Sequence, residues 1–485
     1  MKRILIVGAL AALVFGSVWA EDAASDFDSL AAAPAADASN DTAAFDWGTL
    51  KWSGDQNFSW RWGAAENPTR TGGLVDGELT GEYKWNDLKV TGAAAVKNGE
   101  YTPGETLVTW APGTFKVSAG LSEFSWGVAD ANNPTDTLNS RDYRFGASAE
   151  RIVNPAVTTA WYPADWVSLE AVFEPWKEAP KFPTDFGASV RSSFASYGTV
   201  VTVSDDAKDG SKPVYAGRAN FFLQGLDLSF SYVYDRDSYY TPVITTVAVP
   251  ASGNAYLPSK IELVRKTVQR VGVNAKTTVD RFGLWFEGAY NITEDPTSTD
   301  YAIRDNKLAW TTGFDFNWGP GSAYYVNLQY AGSWIPGYDS SAVSALGSGV
   351  FVKATAEKYY YRKLLNSLGS ETEEWLHGAT YSLKFPLNDA TITPTLSGAV
   401  MVPFGYDNSE KTRIASAYFK PELDVMPADG VHLLFGAELS YGWIKKAGSE
   451  DVTLDTSTDK LGIYTPQNAV YIKVNYKWNG SLSAK

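Results

Sequence analysis

The sequence predicts an all-β chain, a transmembrane antiparallel β-barrel of about 18 strands with short periplasmic turns and long extracellular loops. Three observations predict it. Apolar residues recur with a period of two, as in strands with one apolar and one polar face. The breaks between these runs alternate between short and long along the chain. Finally, 18 Trp, 27 Tyr and 23 Phe accompany only three Met, and no apolar run after Ala20 is long enough for a membrane helix. A closed barrel is the other structure that satisfies every backbone group in lipid.

The clearest hairpin is Phe419 to Trp443. Phe419, Pro421, Leu423 and Val425 alternate with Lys420, Glu422 and Asp424. After the turn chemistry of Met426 to Gly430 come Val431, Leu433, Phe435, Ala437, Leu439, Tyr441 and Trp443 in phase. In chain order, the other expected strands start with Trp47 to Trp62, Leu74 to Trp85, Leu88 to Val96, Thr106 to Trp110 and Thr114 to Trp126. Val157 to Tyr162, Trp166 to Phe173, Val214 to Leu223 and Leu226 to Tyr234 follow. Then come Glu262 to Thr277, Phe282 to Tyr290, Lys307 to Trp318 and Ala323 to Trp334. Trp375 to Phe385, Ala390 to Val402 and Ala469 to Trp478 complete the set around the hairpin.

The count rests on the breaks. Eight are short: Asn86-Asp87, Ala111 to Gly113, Pro163 to Asp165, Gln224-Gly225, Val279 to Arg281, Gly319 to Gly321, Leu387 to Asp389 and Pro427 to Asp429. With both termini on the periplasmic side, turns number half the strands minus one, so eight turns give eighteen strands. Losing one hairpin gives 16, and either number encloses an aqueous channel.

The ends read differently. Residues 1–20 have the parts of a signal peptide: Lys2 and Arg3, an apolar run from Ile4 to Val18, and Val18-Trp19-Ala20 as cleavage site. Residues 21–46 carry seven acidic side chains and no basic one, the composition of a disordered periplasmic leader. They account for half of the net charge of −14. The barrel is expected over 47–478 and a periplasmic tail over 479–485. With no cysteine, the chain has no disulfide, thiolate or lipid-modified cysteine.

One run stands apart: Ser125-Trp126-Gly127, then Asn133-Pro134-Thr135-Asp136, then Asn139-Ser140-Arg141-Asp142. It resembles the run after an early strand in porin-like and alginate-export-like outer-membrane barrels. The last strand also resembles the terminal strand of bacterial outer-membrane barrels, with Val470, Ile472, Val474, Tyr476 and Trp478 facing one way. It departs from many of them in continuing past the final aromatic. The resemblance implies an outer-membrane pore former, assembled by the outer-membrane assembly machinery, without naming its cargo.

The loop at 128–153 brings Asp130, Asp136, Arg141, Asp142 and Arg144 close in sequence, and opposed charges in a narrow passage select solutes. These five are candidates to line or position a constriction, against the alternative of solvated surface pairs. Parity turns Arg218, Arg270, Glu287, Asp315 and Glu438 toward the lumen, along with Arg61, Glu82, Asp227, Asn274, Asn327, Gln329, Lys384, Lys473 and Lys477. Both signs are present, and cross-strand pairing alone would explain any one of them. In the loop at 335–374, Ala356, Tyr360, Leu364 and Leu368 recur every four residues, which predicts a helix over 353–368 ahead of Gly369. That helix either gates the pore mouth or packs on neighbouring loops.

Catalytic signatures are absent: His377 and His432 fall on different strands at opposite rims, and no metal spacing or hydrolase elbow occurs. No cofactor is expected, and an acidic chain without a phosphate loop argues against nucleic acid. The expected function is an outer-membrane porin-like channel for diffusion or facilitated uptake of small hydrophilic solutes. The alternative is a surface-exposed structural or adhesive barrel with a plugged lumen. Expected partners are the lipid bilayer, the solutes and the assembly machinery; a homo-oligomer stays open, because a protomer contact reads like a lipid-facing wall.

Overall fold

The computed structural model describes residues 48–63, 72–97, 99–144, 149–182, 186–204, 212–249, 255–338, 353–367, 373–404, 411–446, 449–454 and 460–483. The expected signal peptide and leader lie outside them, as does Leu368.

The chain begins with a meander of β1 (Thr49–Gly63), β2 (Gly72–Trp85), β3 (Leu88–Lys97), β4 (Glu100–Trp110) and β5 (Phe115–Ser122). A short hairpin, β6 (Arg141–Asp142) with β7 (Glu150–Arg151), precedes β8 (Asn154–Ala164) and β9 (Val167–Glu174). Next are α1 (Phe186–Phe194), β10 (Val200–Val203), β11 (Val214–Leu223), β12 (Leu226–Arg236), β13 (Thr241–Val249) and β14 (Ala255–Val264). β15 (Thr267–Val279), β16 (Phe282–Thr293), β17 (Lys307–Trp318) and β18 (Tyr324–Trp334) lead to α2 (Lys353–Ser367). The chain ends with β19 (Trp375–Lys384), β20 (Ile392–Phe404), β21 (Lys411–Ala428), β22 (Val431–Lys446), β23 (Val452–Leu454) and β24 (Ala469–Ser483).

Eighteen of these form one closed antiparallel barrel: β1–β5, β8, β9, β11, β12, β15–β22 and β24, with β23 appended to β22. Pairing of β1 with β24 closes it, Thr49 opposite Ser483 and Gly63 opposite Ala469. All eighteen expected strands are present. Turn residues that tolerate a left-handed backbone make the tight connections, as at Asn86 (φ 50°) and Gly225 (φ 77°). The first and last described strand residues, Thr49 and Ser483, lie at the end of the barrel with the short turns.

Period-two alternation sorts the wall. Phe58, Trp60, Phe230, Tyr232, Phe286 and Tyr330 are exposed on the outside, while Asn57, Ser59, Ser229, Ser231, Glu287 and Gln329 are buried inside. Near the closure, Trp478 covers Gly54 and Trp52 covers Gly480, a Cβ at either glycine falling within 2.5 Å of the facing indole. This reciprocal packing is the aromatic filling of a glycine gap.

Three expectations need correction. The strand begun at Thr114 leaves the wall at Ser122, because Phe124 and Trp126 turn inward onto Leu138, Val172 and Val214. The run from Glu262 to Thr277 is two strands, broken where buried Arg265 donates to the carbonyls of Asp237 and Lys177. Residues 479–483 form no tail; they extend β24 and pair with the start of β1.

α2 forms where the four-residue repeat places it. Ala356, Tyr360 and Leu364 pack with Val190 and Phe194 of α1 and with Ile244, Ile261 and Leu263 of a three-stranded sheet, β10-β14-β13. The connections after β9, β12 and β18 thus share one core at the long-loop end of the barrel, tied to the segment before β17 by Arg362 and Asp305 at 3.0 Å.

Candidate functional site

After Ser122 the chain descends into the lumen, and β15–β18 receive it. Glu287, on the inner face of β16, accepts hydrogen bonds from the backbone N–H groups of Val128 (2.8 Å), Ala129 (3.1 Å) and Thr135 (2.7 Å) and from the Thr135 hydroxyl (2.8 Å). The neighbouring wall adds Asn274, which donates to the Trp126 carbonyl at 2.8 Å, and Thr311, which donates to the Asn132 carbonyl at 2.7 Å. Asn327 donates to Asp130. Gly127 and Gly272 let the two surfaces approach: a Cβ on Gly127 would fall 2.9 Å from Glu287, and one on Gly272 would fall 2.7 Å from Thr135. Buried carboxylates survive when such donors replace water.

The other candidates sort by position. Asp130 and Asp315 meet through Asn327 and Tyr325, whose hydroxyl donates to Asp315 at 3.3 Å. Arg218 bonds both oxygens of Glu170 at 3.0 Å, and its guanidinium lies 4.9 Å from the Trp126 ring centre. Arg270 pairs with Asp235 at 2.6 Å. Lys177, from the loop after β9, bonds Asp235 and the Thr137 carbonyl, each at 2.5 Å. Burial lowers the Lys177 ammonium's affinity for its proton, opposed by Asp235. Burial likewise raises the Asp130 carboxyl above its ordinary range, opposed by the Asn327 hydrogen bond.

Within the loop, Asp136 is shared by Arg141 (2.8 Å) and Arg151 (2.7 Å). Asp142 pairs with Arg144 at 2.8 Å, and Arg144 reaches Glu100 on the β4 rim at 2.9 Å. Tyr143 N–H donates to the Lys181 carbonyl, and Lys181 N–H to that of Arg141, so the segment after β9 stitches the loop from above. Burial pushes the Tyr143 phenol up to about 12. Glu438 is apart from all of these, on β22, with Arg61 at 3.6 Å.

Next to the seat of the loop round the barrel, many inner residues of β19–β22 are half-buried: Ser382, Lys384, Thr393, Thr395, Ser397, Lys420, Glu422, Asp424, His432 and Glu438. His432 lies at the short-turn rim and bonds Asp424 at 2.9 Å, whereas His377 lies near the long-loop rim on the outer face. Asn274, Thr311 and Asn327 seat the loop without carrying charge. Thr311 was not singled out in the sequence at all, and only its inward parity marks it there.

The fold and this inward loop define the class: an outer-membrane β-barrel with an apolar outer wall and a partly occupied polar lumen. No protein family and no curated protein matches the sequence. Among solved structures, it is similar to OccK3 (OpdO) of Pseudomonas aeruginosa, at 9% identity over 89% of this chain and 96% of that one, with a TM-score of 0.46. OccAB3 of Acinetobacter baumannii gives 9%, 89%, 99% and 0.45. The outer-membrane channel DcaP of Acinetobacter baumannii gives 11%, 89%, 96% and 0.38.

Proposed function

We propose that the protein is a porin-like channel through which small hydrophilic solutes cross the outer membrane by diffusion or facilitated uptake. The observation that carries this reading is the one-sided seating of the inward loop: it attaches to β15–β18 and leaves the half-buried hydroxyl and charged side chains of β19–β22 facing the lumen. Solutes pass between the loop and that wall. Asp136, Arg141, Asp142 and Arg144 position the constriction, and Glu438 lines the path. Asp130, Arg218, Arg270, Glu287 and Asp315 act one step removed, holding the loop in place. The mixed signs of Lys384, Lys420, Glu422 and Glu438 give a transverse field, which orients dipolar solutes more than it selects a net charge.

The test uses the absence of native cysteine. Full-length protein in a planar bilayer is expected to give stepwise conductance, and a bulky thiol reagent is expected to reduce it in Ser397→Cys but not in Gln329→Cys. A folded barrel without conductance, or equal block at both positions, overturns the reading.

A further inference from the structure

The described outer wall is mostly apolar, with a few neutral polar side chains such as Gln56 and Gln269, and it is almost free of charge. Following the outward register through the eighteen described strands, His377 is the one side chain there able to carry charge at physiological pH, apart from two at extracellular tips: Arg236, which is buried, and Lys445, which pairs with Glu450 at 2.6 Å. His377 faces outward opposite Gly332, two residues in from the start of β19 at the extracellular end. At about 3.4 Å per residue, that is about 7 Å from the rim, at the level where headgroups meet acyl chains.

Its surroundings hold the ring firmly. Trp375 is parallel to it (6.2 Å, 1°), Tyr330 nearly so (6.0 Å, 25°), and Phe404 meets it edge-on (5.3 Å, 74°). Trp334 stacks on Trp375, and Trp310 covers Gly332. The Tyr330 hydroxyl bonds Nδ1 at 2.5 Å, which fixes the ring's orientation, and no described residue bonds Nε2. A ring nitrogen left without a protein partner at this depth meets lipid, where an unsatisfied polar group is costly. The chemistry that satisfies a fixed imidazole donor there is an anionic oxygen.

We infer that His377, with Tyr330, Trp375 and Phe404, forms a site on the outer wall for the phosphate monoester headgroup of a membrane lipid. The rings hold the imidazole, the imidazole binds a phosphate oxygen through Nε2, and the acyl chains lie along the wall below. This is independent of what passes through the lumen.

The experiment is native mass spectrometry of the full chain in detergent, titrated with phosphatidic acid or with diacylglycerol of the same chains. Wild type is expected to hold phosphatidic acid about tenfold more tightly, the size of one charge-assisted hydrogen bond. His377→Phe keeps a stacked ring and is expected to abolish that difference, whereas His432→Phe, in the lumen, leaves it intact. If His377→Phe does not fold, Tyr330→Phe replaces it, with the preference expected to fall at least threefold. No preference in wild type, an unchanged preference in the variant, or full displacement of the lipid by millimolar inorganic phosphate overturns the proposal.

Discussion

Glu287 on β16 and Glu438 on β22 are both inward carboxylates on barrel strands, yet one is fully buried under four donors and the other is half-buried beside a single guanidinium at 3.6 Å. The same contrast runs through their walls. Arg270, Asn274, Thr311, Asn327 and Gln329 are sealed, while Ser397, Lys420 and Glu422 stay accessible. Alternation decides that a side chain faces the lumen; what another segment lays over it decides whether it holds structure or meets solute. A sealed carboxylate loses its water and depends on fixed donors, whereas an open one keeps its water and interacts weakly.

The largest test of this difference is Asp235→Ala. It removes the carboxylate that both buried Lys177 and buried Arg270 bond, so unfolding of the refolded barrel is expected to become easier by about 3–5 kcal/mol. A loss no larger than that of Glu438→Ala would erase the distinction between the walls. Glu287→Ala should follow at about 3 kcal/mol, since four donors lose their acceptor; its single-channel recordings should show larger and noisier currents as the loop loosens. On the open wall, Glu438→Lys, which loses only the Arg61 contact at 3.6 Å, is expected to change stability by less than about 1 kcal/mol. The reversal potential in a salt gradient should nevertheless move toward anion selectivity.

The smallest effect is at Asp130. Its folded carboxyl is raised by burial, so its stabilising share is complete below the ordinary carboxylate range and is lost as pH rises through the folded value. Asp130 is therefore expected to add to a higher melting point near pH 4 than near pH 7, and Asp130→Asn should reduce the difference by that share. An unchanged pH profile in the variant would place the titration elsewhere.

The strand count, the turns and the inward parity of Glu287 and Glu438 were legible because each depends on neighbours in the chain. So was α2, whose stripe at Ala356, Tyr360 and Leu364 is buried as the repeat requires, in a core shared with other loops. The occupancy of the lumen was not legible. Glu287 and Thr135 are 152 residues apart, and nothing local in either marks the other. Trp126 was read as the end of a strand because Phe124 and Trp126 alternate correctly; alternation cannot tell an aromatic facing lipid from one packed at the root of an inward loop. Arg265 broke a strand by satisfying two distant carbonyls, a signal that also exists only in three dimensions.

The reciprocal packing of Trp478 over Gly54 and Trp52 over Gly480 bears on how the two ends of the chain find each other. A slip of one residue would turn every side chain of the closing strand to the wrong face. A slip of two keeps the faces, but in one direction it sets Gly54 against Gly480 and leaves a gap. In the other it drives Trp52 against Trp478. The seam therefore works as a keyed lock with one fitting position, and the pairing that closes the barrel fixes the register in which its two ends can meet.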